Sequence, residues 1–98
     1  MEHEGDFSET LRWRLFSVDQ FHYLNVTRVG TFTAFDKFDC AFKCLLNPLC
    51  FSFNLAVSKG PGEKLWCELL SSDKYRNTAK YKGNDSSHHY FIMVGSVF

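Results

Sequence analysis

Net charge, long apolar runs and internal repetition are all missing from this sequence, and each absence closes off a class of function. Eleven Lys and Arg balance eleven Asp and Glu, so the whole-chain field exerts no pull on nucleic acid or on an anionic membrane. No stretch approaches the ~20 apolar residues of a membrane-spanning helix. The longest such run near the carboxyl end is YFIMVG, so membrane insertion by this segment is not expected. The start, MEHEGDFSE, lacks the basic lead and apolar core of a secretory leader. If the chain is exported, Met1 replaces a removed leader or opens a fragment of a larger multidomain protein. There is no repeat and no low-complexity tract.

What is present argues for one folded domain over residues 1–98. Hydrophobic residues make up 45% of the chain and aromatics 17%, with eleven Phe, too much apolar matter for disorder. A chain this short buries only about 60–70% of its unfolded surface, so it profits from a staple. Charge is balanced overall but unevenly placed. Glu2, Glu4, Asp6 and Glu9 crowd the start, where residues 1–10 read as a loose extension. Lys74, Arg76, Lys80 and Lys82 crowd a polar region, 71–89, that reads as loop with a short strand or turn. Solvated surface is the ordinary meaning of both clusters.

Local patterning predicts one helix among short strands. RWRLFSV (12–18) and FHYLNVTRVGTFTAF (21–35) are rich in aromatic and β-branched residues, the second interrupted at Gly30 by a turn or bulge. The helix begins at Asp36, a good N-cap, with Asp39 at the capping-box position. Phe38, Ala41, Phe42 and Leu45 follow at amphipathic spacing. Asp39 and Lys43 form a narrow polar wedge, and the rest of the circumference is apolar or thiol, which predicts a helix wrapped by a sheet. Asn47 and Pro48 end it. CFSFNLAV (50–57), LWCELL (65–70) and YFIMV (90–94) read as strands, with a Gly-Pro-Gly turn at 58–64. The fold class is α+β: one helix on a small, mainly antiparallel sheet.

The four cysteines form the pattern C-x3-C-x5-C-x16-C, which allows three disulfide pairings. Cβ atoms at i and i+4 on a helix lie about 5–6 Å apart, too far for a disulfide, so Cys40–Cys44 is disfavoured. Cys44 closes the helix and Cys50 opens the next element, so a short hop across Asn47-Pro48 joins them. Cys40 is then left for Cys67. The spacings fit no common zinc knuckle, and no thiol has a recognisable base beside it. Zinc and thiol-redox chemistry are the least favoured readings, and no cofactor is expected. Two sequons, at Asn25 and Asn84, are candidate glycosylation sites compatible with export.

The segments FDCAFKCLLNPLCFSFNLA (38–56) and LWCELL (65–70) together resemble the PAN/apple family, and over roughly residues 20–94 the chain is similar to PAN-type modules of cnidarian extracellular multidomain proteins. The family also includes the N-terminal domain of hepatocyte growth factor. The resemblance implies a helix cradled by a curved antiparallel sheet. It implies the same pairings, Cys40–Cys67 and Cys44–Cys50. It further implies a secreted or ectodomain location and a non-enzymatic recognition or adhesion role, with a protein or carbohydrate partner. A sulfated glycan bound by Lys74, Arg76, Lys80 and Lys82 is the narrower alternative, since the growth-factor domain binds heparin and Tyr75 and Tyr81 interleave those cations.

Overall fold

A computed structural model describes residues 16–92. Strand β1 spans Phe16–Asp19, so the first part of the expected strand (12–15) and the expected loose extension 1–10 lie outside the described residues. The chain turns through Phe21, whose left-handed backbone (φ 59°) is held where its N–H donates to His88 Nδ1 at 3.0 Å. Strands β2 (His22–Leu24) and β3 (Arg28–Ala34) follow. The break between them falls at 25–27 and not at Gly30. At Gly30 the expected interruption is present as a bulge-like register shift in the pairing of β3 with β5, while the break at 25–27 is where the chain leaves one sheet for the other.

The helix, α1, runs Lys37–Leu46. Asp36 accepts from the Asp39 N–H at 2.9 Å, and Asp39 accepts from the Phe35 N–H at 3.0 Å, so two amino-terminal donors are satisfied reciprocally. Asp39 also meets Lys43 Nζ at 2.7 Å. Beyond it come β4 (Ser52–Ala56), β5 (Leu65–Leu70), β6 (Tyr81–Gly83) and β7 (Ser87–Ile92). One five-stranded antiparallel sheet has the order β1-β7-β4-β5-β3, and β2-β6 forms a second, two-stranded sheet. Mixed α+β architecture is therefore as expected.

Helix α1 lies on one face of the large sheet. It buries Cys40, Ala41 and Cys44 against Ala34, Phe53, Leu55, Cys67, Leu69 and Tyr90. Phe53 and Tyr90, opposite each other on β4 and β7, stack at 4.7 Å, and Phe16 meets Phe53 edge-on at 5.2 Å. Disulfides join Cys40 to Cys67 and Cys44 to Cys50. The first ties helix to sheet, and the second clamps the corner where Asn47 Oδ1 accepts from the Leu49 N–H.

Two sequence expectations need correction. The helix is not wrapped: Phe42 and Leu46 point to solvent while only one flank meets the sheet. Strand β4 alternates Phe53 and Leu55 toward the helix with Ser52 and Asn54 on the other face, and it is buried at every position because it is the central strand and both faces are covered. In the polar region 71–89 the expected turn and short strand are present as two 3-10 turns (Lys74–Arg76 and Thr78–Lys80) and β6, but its end is not loop: β7 begins at Ser87, where Ser87 and His89 are buried polar residues.

Candidate functional site

The site is built on the sheet face away from the helix. Cross-strand register gathers Asn54, Glu68, His89 and Asp19 there. Asn54 lies at the centre of this face and is fully buried. Its Oδ1 accepts from the Leu24 N–H at 3.2 Å and its Nδ2 donates to the Leu24 carbonyl at 2.9 Å. One side chain thus imitates a strand neighbour and docks β2 onto the large sheet. The same Nδ2 reaches Glu68 Oε1 at 3.3 Å, and His89 Nδ1 lies 2.9 Å from Asn54 Oδ1. The acceptor character of that oxygen puts the imidazole proton on Nδ1. His89 Nε2 is buried with no hydrogen-bond partner among the described residues, and burial pushes the imidazole down to about 4.

Charged groups border this seam in two clusters. Asp19 accepts from Lys74 Nζ at 2.6 Å and from the Tyr81 hydroxyl. Burial works to raise the Asp19 pKa, but the bonds from Lys74 and Tyr81 outweigh it and hold the carboxyl below its ordinary value. Burial, and then the Asp19 carboxylate, raise the Tyr81 phenol. Lys74 also lies 3.9 Å above the Phe91 ring. In the second cluster Arg28 bonds the Tyr23 hydroxyl and pairs with Glu68 at 3.3 Å. Burial and Glu68 together raise the Tyr23 phenol.

An open groove of about 520 Å³ is walled by residues 25–27, Arg28, Ala79, Lys80 and Lys82. It exists because β2 and β6 pair (Leu24 opposite Tyr81) and the Asn25 N–H donates to the Lys80 carbonyl at 3.1 Å. Leu24, Val26 and Leu70 form a small second core beneath it, with Tyr81 packed alongside. Three cationic side chains face one concavity, and for Lys80 and Lys82 no carboxylate lies within ion-pair distance among the described residues.

The basic segment flagged in the sequence is thereby divided. Lys80 and Lys82 share the groove, whereas Lys74 is committed to Asp19 and Arg76 to Asp73 at 3.6 Å and the Phe51 ring at 5.9 Å. Arg28 was not anticipated as a groove residue. No local signal marks it, since it comes to Lys80 only through the pairing of two three-residue strands. Asn25 is exposed at the groove, its Oδ1 3.4 Å from Arg28 Nη2. Asn84 is exposed in the β6–β7 turn, where its Oδ1 accepts from the Ser86 N–H at 2.8 Å. All four cysteines are consumed by disulfides, so none offers a thiolate. No family model, curated protein or solved structure matches this chain.

Proposed function

We propose that this chain is a non-enzymatic extracellular recognition module of PAN/apple type, with a protein or carbohydrate ligand. The observation that supports it most is the disulfide frame. Both crosslinks converge on one ten-residue helix, a device suited to small domains in oxidising compartments. The frame holds surface turns on a rigid base, which is where recognition contacts usually lie. Intact mass after alkylation without reductant, on protein from its native source, tests the compartment. Unmodified cysteines are expected, and four alkylated thiols overturn the reading. Binding of the secreted chain to arrayed extracellular glycans and matrix proteins tests the role, with a saturable ligand expected.

A sulfated glycan is the second reading, favoured by the groove that brings Arg28, Lys80 and Lys82 together. Its sulfates would sit on Lys80 and Lys82, which have no carboxylate partner among the described residues, with Arg28 of the same groove held in place by Glu68 and Tyr23. Retention on a heparin column beyond physiological salt, reduced in a Lys80→Ala and Lys82→Ala variant, is the expected result. Elution at or below physiological salt overturns it.

A further inference from the structure

The outer side of α1 is an apolar surface that the fold does not use. At 100° per residue, Phe42 and Leu46 lie one turn apart on the side facing away from Cys40 and Cys44. Phe42 is 40% exposed, Leu46 80%, and just beyond the helix Leu49 is 62% exposed; Phe35, before the N-cap, is 67% exposed. Fully exposed side chains of this size offer about 150–250 Å², so these four leave on the order of 500 Å² of apolar surface in water. That is near the upper end of what a monomer tolerates as one patch, about 300–600 Å².

The two most exposed leucines also sit on a rigid corner. The Cys44–Cys50 disulfide spans it, the Asn47 N–H donates to the Cys44 carbonyl at 3.1 Å, and Asn47 Oδ1 accepts from the Leu49 N–H at 2.9 Å. A preorganised apolar knob loses little conformational freedom on docking. The helix's own charges are two acids, Asp36 and Asp39, and two bases, Lys37 and Lys43. A face balanced in this way repels no copy of itself and offers no excess charge to an anionic surface.

We infer that this face is a two-fold self-association surface, with the Phe42–Leu46 ridge of one chain packed against the same ridge of a second copy. An isologous contact needs a self-complementary patch, and an i, i+4 ridge packs into the grooves of an equivalent helix. The area fits. A standard interface covers about 800 Å² per partner with rather more than half of it apolar, which is what these side chains supply. The inference stands apart from the recognition role proposed above, because it requires neither the groove nor a compartment.

Sedimentation equilibrium of the full 98-residue chain across a concentration series is the test. Wild type is expected to move from one to two chains per particle, and Leu46→Glu with Leu49→Glu to stay monomeric with both disulfides and its melting temperature retained. Lys82→Glu, which alters the groove, is expected to dimerise like wild type. A wild-type chain that is monomeric at every concentration overturns the inference, as does a dimer that survives the double Glu variant. If that variant misfolds, Phe42→Ser, one turn away on the same ridge, carries the test: it is expected to weaken the dimer at least tenfold, and unchanged dimerisation overturns the inference.

Discussion

On the helix side of the central sheet, Phe53, Leu55, Cys67 and Leu69 meet Cys40, Ala41 and Cys44, and a disulfide crosses the contact. On the other side the same strands present Asn54, Glu68 and His89, and a second sheet is docked by hydrogen bonds. The first side is non-directional: apolar area leaves water, and any well-packed set of similar volume would serve. The second is directional, since every buried polar atom needs a specific partner or becomes a penalty. The groove stands on the directional side. Its shape therefore depends on a few hydrogen bonds more than on bulk packing.

Breaking the seam at its centre has the largest expected effect. Asn54→Leu keeps the volume but orphans the Leu24 N–H, the Leu24 carbonyl and the His89 N–H, at about 1–3 kcal/mol each. A loss of about 3–9 kcal/mol in urea unfolding is expected from those three groups, together with loss of the groove. A loss below about 1 kcal/mol would mean that water enters the seam and takes over those bonds.

The helix side breaks differently. Replacing Cys40 and Cys67 by Ala opens the longer loop and should cost about 3–4 kcal/mol, whereas replacing Cys44 and Cys50 should cost about 2 kcal/mol by the same loop-entropy argument. Denaturant midpoints of the two double variants check the order. The reverse order would point to native-state packing of the Asn47-Pro48 corner as the dominant contribution.

The two sides also differ in how legible they were. Helix α1 carries its instructions within its own length: the Asp36 cap, the apolar spacing and the Asn47-Pro48 stop. Cysteine spacing then favoured the pairing that the structure contains. The seam's instructions are distributed. Asn54 finds Leu24 across 30 positions, His89 finds Asn54 across 35, and Lys74 finds Asp19 across 55. Read locally, Ser87 and His89 look like solvent-facing polar residues, so the start of β7 reads as loop. The same distance hid Arg28 from the groove. Phe42 failed for the opposite reason: apolar spacing predicts a covered face, and the fold covers only one flank of the helix.

Acid should loosen the seam before it touches the helix side. His89 is held at about 4 against an ordinary 6.5, so the unfolded chain binds its proton more readily than the folded one. Stability is then full above about pH 6.5 and falls as pH drops towards 4, by about 3 kcal/mol at most. Asp19 adds to the same trend lower down, since its depressed carboxyl contributes above its unfolded pKa and is lost as pH falls through its folded pKa. Lys74, His22 and Asp73 are the other charges that act on the imidazole. Melting temperature against pH is expected to slope between 6.5 and 4 in wild type and to flatten in His89→Gln. An equal slope in both would assign the acid sensitivity elsewhere.

The smallest effect on stability separates two lysines of one segment. Lys74 sits between Asp19 and the Phe91 ring, so Lys74→Met leaves a half-buried carboxylate whose remaining hydrogen-bond partner among the described residues is Tyr81 and should cost about 1–3 kcal/mol. Lys82 lines the groove and holds no carboxylate among the described residues, so Lys82→Met should stay within about 0.5 kcal/mol. Anion binding should divide the other way. Chromatography on an anionic resin is expected to shift for Lys82→Met and to remain unchanged for folded Lys74→Met, because a cation already neutralised by Asp19 has no field left to offer. If both variants shift equally, the segment binds as a diffuse basic stretch and the groove has no special claim on the ligand.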